Sequence, residues 1–277
     1  MQAEPSDWLT HPRMNPLLEH GFRWFIGRDL AALHARGNWL THRERWVNPT
    51  VTYPDYYTTP AFHGLAGGYL TEVAALTYDP VTAIASPPHE GWVRRQMLRP
   101  IQGQPHRILD LGCGTGSTTH LLQRAFPDAT ITGLDLSPDM LVVADYKAPR
   151  SRARYLHQSV THPIQWQHGL AEATELPDHS QDLVSIAFLF HELPPAIAQQ
   201  VLQESWRILR PGGQIVILDG SQRVLRRSHW LIDWFHEPYS KVYAAGNVDD
   251  WLAKAGFDQI QTHHVGFIHQ LSWAQAV

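Results

Sequence analysis

The chain holds one cysteine, Cys113, in 277 residues. No disulfide can form within it, which excludes a stapled fold and suits a reducing compartment. A long apolar run is also missing. The most apolar stretch, Leu183 to Phe190, falls far short of the roughly 20 residues that a membrane-crossing helix needs. The first residues, MQAEPSDWLTHPRMNP, show no basic stretch followed by an apolar one. No signal peptide is expected, and a soluble, cytoplasmic protein is the default. Charge of one sign is scarce: a formal net charge of −4 gives no global pull toward nucleic acid or an anionic membrane. A local basic run, Arg223–Arg226–Arg227, reads first as a solvated helix face, with an anionic substrate or a membrane-surface contact as the alternative. Repeats and low-complexity tracts are absent. Tryptophan (eleven) and histidine (eighteen) are abundant instead. The tryptophans gather outside the glycine-rich segment, where they fill a core or line an aromatic chamber.

That glycine-rich segment, RILDLGCGTGSTT from Arg107 to Thr119, is the most informative part of the chain. Ile108, Leu109 and Leu111 read as a short buried strand. Gly112, Gly114 and Gly116 follow at alternate positions, and a polar run opens an apolar-periodic helix. Strand, glycine turn and helix bring backbone close to a small ligand and aim helix N–H groups at its anionic part. A Cβ in such a turn would block the approach or forbid positive φ. Asp135 ends the next strand about 20 residues on, where an acidic side chain accepts hydrogen bonds from ribose hydroxyls; the plain alternative is a turn aspartate. A nicotinamide enzyme would carry G-x-G-x-x-G. The G-x-G-x-G found here closes the loop more tightly, around a ligand without a pyrophosphate.

The length suits one α/β domain of roughly 150–200 residues plus an extra segment. Residues 1–104 differ from the rest. Leu17 to Leu40 has helical apolar spacing with a stop at Gly37-Asn38. Asn48 to Gly68 reads as an ordered loop, broken by Pro49, Pro54 and Pro60 but rich in aromatics. Tyr69 to Leu76 and Gly91 to Leu98 read as helices. From Arg107 strands and helices alternate. Strands are expected at Ile108–Leu111, Thr130–Asp135, Ile164–Gln167, Leu183–Phe188 and Gln214–Leu218. Helices are expected at Ser117–Phe126, Pro138–Tyr146, Pro195–Leu209, Val224–Tyr243 and Val248–Ala255. Phe257–Val265 and Gly266–Trp273 pair as two final strands. Such alternation predicts an α/β fold: a Rossmann-like, seven-stranded, mostly parallel sheet with an antiparallel edge, plus a helical N-terminal cap. The expected division is a cap over 1–104 and a catalytic domain over 105–277.

ILDLGCGTG followed by GLDLSPDM resembles the first two cofactor motifs of the class I S-adenosylmethionine-dependent methyltransferases. Three further segments match in order: Glu172-Ala173-Thr174-Glu175-Leu176-Pro177, Asp182-Leu183-Val184-Ser185, and Trp206 through Gly213 (WRILRPGG). The resemblance implies S-adenosylmethionine as cofactor, leaving as S-adenosylhomocysteine. It implies that Asp110 and the backbone of Gly112, Cys113, Gly114 and Gly116 hold the methionine end. Asp135 would hold the ribose, and Leu136 and Met140 would flank the adenine. Glu172, where the family more often has Asp, would meet the adenine amino group, and Ala173 would give its N–H to the ring. The backbone at Phe188 would approach the ammonium, and Tyr78 the carboxylate. Cys113 is a small buried residue rather than a nucleophile, since no activating base is indicated.

Methyl transfer is an in-line displacement. It needs the nucleophile held about 3 Å from the methyl carbon, no metal, and for a phenol, thiol or activated carbon a base to take a proton. His191 follows the fourth strand at the ligand-binding end of the sheet. It is a candidate base or substrate contact, against a purely structural histidine at the start of a helix. His191-Glu192 is not a zinc motif, because Pro195 stands where the second histidine of H-E-x-x-H belongs. Glu192 reads as a first-turn helix residue. His63 is the second candidate base: its surrounding pattern, Y-P-D-Y-Y…F-H…G-Y-L, resembles the N-terminal extension of UbiE-like quinone methyltransferases, where a cap lines the acceptor pocket. The segment Trp230–Phe235–His236–Glu237–Pro238–Tyr239 also suits an apolar planar acceptor, though each of these residues, like Tyr56, Tyr57 and Tyr69, reads first as packing. The expected activity is O- or C-methylation of a small apolar or aromatic acceptor, with no nucleic-acid partner. N- or S-methylation is the alternative within the fold. A NAD(P) oxidoreductase or a non-catalytic cofactor-binding protein is the alternative outside it.

Overall fold

The computed structural model describes Leu33 and residues 39–58, 68–85, 89–153, 162–228 and 238–277. Seven strands form one sheet: β1 (Arg107–Leu111), β2 (Thr130–Asp135), β3 (Gln165–His168), β4 (Gln181–Ala187), β5 (Leu209–Gly220), β6 (Phe257–Val265) and β7 (His269–Ala276). Their order is β3-β2-β1-β4-β5-β7-β6. The first five pair in parallel, and the β6–β7 hairpin joins β5 through antiparallel pairing of β7. Strand β4 is buried along almost its whole length, as expected of a strand covered on both faces. One face carries α7 (Pro195–Ile208) and α10 (Val248–Ala255) over Val184, Ile186, Ile215 and Ile217. The other carries α4 (Glu90–Arg95) and α5 (Ser117–Ala125) over Ile108, Ile131, Leu183 and Val216.

Helix α6 (Pro138–Ala153) starts as its sequence dictates. Pro138 sits in the first turn, and the Ser137 hydroxyl accepts the N–H of Met140 at 3.2 Å. Asn247 caps α10 through the N–H of Asp249 at 3.0 Å, and Gly256 ends it at φ 101°. The expected helix over 69–76 lies later. Its described counterpart is α3 (Glu72–Ala85), with Tyr69 in the preceding turn, Thr71 Oγ1 accepting the Ala74 N–H, and the helix running on through Pro80. The pattern over 195–209 also stops short. Arg210 to Gly213 belong to β5, where pairing slips between Gln181 and Leu183 and Gly212 takes φ 78°. The single helix expected over 224–243 is not formed: α8 (Gln222–Leu225) ends in a turn at 226–227, and α9 (Ser240–Ala245) begins separately. Most of the helix expected over 17–40 lies outside the described residues. Its end overlaps α1 (Trp39–Glu44), and the expected loop over 48–68 contains α2 (Asp55–Thr58). No helix among the described residues is long and apolar enough to cross a membrane.

Residues of the N-terminal hundred are tied onto the β1–β3 half of the sheet. The indole of Trp39 and the guanidinium of Arg43 both donate to the buried carboxylate of Asp139, at 2.6 and 2.9 Å. The N–H of Asn48 donates to His168 Nδ1 at 2.9 Å, and Ser137 Oγ donates to the carbonyl of Tyr69 at 2.6 Å. These bonds join residues 68 to 120 positions apart in sequence.

Candidate cofactor and acceptor site

The turn after β1 is built by positive-φ glycines: Gly112 at 62°, Gly114 at 52° and Gly116 at 76°. Only the conformational freedom of glycine makes three such residues in five cheap. Two bonds fix the turn, from Cys113 N–H to the carbonyl of Leu134 at 3.0 Å and from Gly116 N–H to Cys113 at 2.9 Å. A third network locks it from outside. Asp79 of α3 accepts from Thr115 Oγ1 at 2.5 Å and from Lys147 Nζ at 2.7 Å, and Lys147 also reaches Ser117.

Tyr78, Gly112, Gly114, Asp135, Leu136, Met140, Glu172 and Phe188, eight of the expected cofactor residues, line one pocket at the C-terminal ends of β1, β2 and β4. The pocket opens to solvent, and its empty space, open solvent included, is about 620 Å³. A Cβ on Gly112 would stand 3.0 Å from the Leu189 side chain, so the glycine keeps the cradle open. Asp135 receives the N–H of Gly114 at 2.7 Å and of Ser137 at 2.8 Å. Those bonds leave acceptor sites on both oxygens for hydroxyl donors. Burial raises its carboxyl to about 6, against the opposing pull of the two backbone donors. Phe188 takes φ 59°, a costly conformation for a residue with a Cβ. It is held there by its N–H on the carbonyl of Leu218 at 2.8 Å, with the Arg94 guanidinium 4.9 Å above its ring.

Four expected residues do not line the pocket. Asp110 is buried beneath the turn and accepts from Thr119 Oγ1 at 2.6 Å; burial raises its carboxyl to about 6, against the hydrogen bonds of Thr119 and Ser185. Cys113 packs with Leu141, Ala144 and Trp166, and burial pushes its thiol well above the ordinary value. Gly116 gives way to the Trp166 ring, which a Cβ there would meet at 2.7 Å. The Ala173 N–H is occupied by the carbonyl of Leu170 at 3.3 Å. His63 and Trp230 through Glu237 lie outside the described residues.

His191 is placed behind the pocket wall rather than on it. Its Nδ1 is 2.5 Å from Oδ1 of the buried Asp219. That carboxylate is itself oriented by the N–H groups of Phe190 at 2.8 Å and Gly220 at 2.6 Å. Its Nε2 lies 3.6 Å from Glu192 Oε1. Glu192 does line the pocket, and the Tyr69 hydroxyl donates to the same oxygen at 2.5 Å. Tyr56 makes a matching bond to Glu172 at 2.6 Å. Burial, and behind it the charges of Asp135 and Glu192, drive the Tyr57 hydroxyl well above its ordinary value. Tyr56, Tyr57, Tyr69 and Glu192 are thus the site residues whose sequence offers no direct signal. Their partners stand about 120 positions away, and only the aromatic density of 53–78 hints at them.

A parallel sheet of this order, with a glycine turn after its first strand and an aspartate closing its second, is the architecture of the class I S-adenosylmethionine-dependent methyltransferases. Residues 108–213 match the family model described as a methyltransferase domain. The demethylmenaquinone methyltransferase of Thermus thermophilus is 36% identical over 128 residues, covering 46% of this chain and 53% of that protein. The Deinococcus radiodurans protein of the same name is 34% identical over 129 residues, 47% of this chain and 49% of the relative. The chain thus spans about half the length of the curated relatives it matches. Among solved structures, an S-adenosylmethionine-dependent methyltransferase from Aquifex aeolicus aligns with a TM-score of 0.51 at 18% identity, covering 72% of this chain and 98% of its own. Phosphoethanolamine N-methyltransferase 2 of Haemonchus contortus, in complex with S-adenosylmethionine, aligns at 0.51 and 15% identity, covering 75% and 57%. At such identities the structural likeness concerns the fold.

Proposed function

We propose that the protein transfers a methyl group from S-adenosylmethionine to a small apolar or aromatic acceptor, such as a quinol or phenol, at oxygen or carbon. We assign residues 1–104 as the cap over that acceptor and 105–277 as the catalytic domain. One observation carries the reading. The pocket that gathers Gly112, Gly114, Asp135, Glu172 and Phe188, its floor, is also lined by Tyr56, Tyr57, Tyr69 and Tyr78, its roof. Its floor has the cofactor chemistry and its roof has flat apolar surface for a ring. The demethylmenaquinone methyltransferases among the relatives support a quinone-type acceptor.

When bound, the cofactor would supply a sulfonium methyl for in-line transfer to the acceptor, with the thioether of S-adenosylhomocysteine as the leaving group. The chain's own residues orient and deprotonate. Asp135 accepts the ribose hydroxyls, and Leu136 and Met140 flank the adenine. For a hydroxyl acceptor, Glu192 takes the proton as the new O–CH₃ bond forms. His191, with Nδ1 held by Asp219, stands behind Glu192 as the next proton site. An amine acceptor is the second reading. Among the described lining residues there is no Lys, Arg or His, while Glu172, Glu192 and four tyrosine rings suit a cation.

The test is incubation with methyl-labelled S-adenosylmethionine and solvent-fractionated cell extract. Label in an apolar small molecule, with the methyl on oxygen or carbon, is expected. Label confined to protein, nucleic acid or an amine contradicts the first reading.

A further inference from the structure

We propose that the turn between β6 and β7 docks the protein on an anionic phospholipid bilayer. Phe267 stands at that turn 77% exposed, the most exposed large apolar side chain within the described fold. Two open grooves flank it and share His264 and Gly266. One is bordered by Arg223 and Arg227 of the α8 end, the other by Trp92, Arg99 and His263. Among the described residues neither lining contains an acidic side chain, although the chain has 26 acidic against 22 basic side chains. The basic run read from the sequence divides here. Arg226 is tied back to the fold, donating to the carbonyls of Ala244 at 2.8 Å and Gly246 at 3.0 Å, and like Arg223 and Arg227 it is exposed.

The position of this patch gives it a purpose. Both β5 and β6 run antiparallel to β7, so β6 ends at the same edge of the sheet as the glycine turn and the pocket. His269, the first residue of β7, packs its ring 5.4 Å from Phe188 of the pocket wall. An apolar tip ringed by cations matches an interface where the ring enters the acyl boundary and the cations meet lipid phosphates. Single-stranded nucleic acid would instead be met by rings arrayed along a groove, whereas Phe267 projects from a turn. Docking here sets the pocket edge of the sheet beside the bilayer, and the inference stands independently of which acceptor is methylated.

The experiment is co-sedimentation of the full chain with vesicles of equal parts phosphatidylglycerol and phosphatidylcholine, and with phosphatidylcholine alone. Binding to the anionic vesicles only is expected, falling as salt rises. Each arginine near an anionic surface is worth about fivefold, so Arg223→Gln with Arg227→Gln weakens binding by about thirtyfold. Phe267→Ser weakens it by about tenfold. Both variants keep the wild-type melting temperature and S-adenosylhomocysteine affinity. The proposal is overturned by equal binding to neutral vesicles, by no binding, by variants that bind as wild type, or by retention on single-stranded RNA without retention on vesicles.

Discussion

The floor and the roof of the pocket are made in different ways. The floor is backbone and buried carboxylate, fixed by a parallel sheet: the positive-φ glycines Gly112 and Gly114, Asp135 at the end of β2 and Phe188 past the end of β4. The roof is made of tyrosines on short N-terminal elements, held by side-chain bonds to floor residues far along the chain, Tyr56 to Glu172 and Tyr69 to Glu192. A sheet can place a cofactor with few degrees of freedom. A roof of hydroxyl–carboxylate pairs can be retuned one residue at a time without touching the sheet. That difference is why the methyl donor is better defined than the acceptor.

The largest effect that would break this division is expected at Asp135. Two hydrogen bonds to a charged acceptor are worth about 1.5–3 kcal/mol each. Asp135→Asn should therefore weaken S-adenosylhomocysteine binding at least about a hundredfold in calorimetry and leave the melting temperature close to wild type. Gly116→Ala tests whether that glycine serves packing. Positive φ and the Trp166 contact together predict a loss of about 2–4 kcal/mol in denaturant unfolding, larger than for Gly114→Ala, whose Cβ would meet only Tyr78 at 3.9 Å. On the roof, Tyr69→Phe removes the donor to Glu192. Turnover should fall about tenfold and the pH profile should shift, with cofactor affinity nearly unchanged.

Titration sharpens the comparison further. With the Asp135 carboxyl raised to about 6 in the unliganded fold, cofactor affinity should fall by about tenfold per pH unit below that value, as the acceptor is protonated. The unliganded fold moves the opposite way. Asp110 and Asp135 both sit near 6 in the fold, against about 3.9 when unfolded. Their contribution to stability is full below the unfolded value and is lost as pH rises through about 6. Asp135→Asn should flatten the affinity profile. The smallest effect belongs to Cys113→Ala. The buried thiol has no chemical role, so affinity and turnover should stay within about twofold and the native protein should resist alkylation.

Much of the floor was readable in the sequence because its signals are local. An apolar run, alternating glycines and an acidic residue one βα unit later are consequences of one crossover geometry. Local patterns misled where tertiary packing decides. Gly116 carries the spacing of a cofactor contact but faces Trp166. The basic run at 223–227 reads as one helix face, but the helix ends at Leu225 and Arg226 turns back to the carbonyls of Ala244 and Gly246. Glu192 reads as a helix-start residue, and only the fold puts Tyr69 against it. His191 reads as a base or a substrate contact, yet the bond to Asp219 turns its ring behind the wall that Glu192 forms.

Parallel calorimetric titration of S-adenosylhomocysteine into wild type, Asp135→Asn and Tyr69→Phe tests the division between floor and roof most directly. The account predicts saturable binding to wild type, binding weaker by at least about a hundredfold in the floor variant, and affinity close to wild type in the roof variant. Near-wild-type affinity in Asp135→Asn, or a loss of affinity confined to Tyr69→Phe, would contradict it.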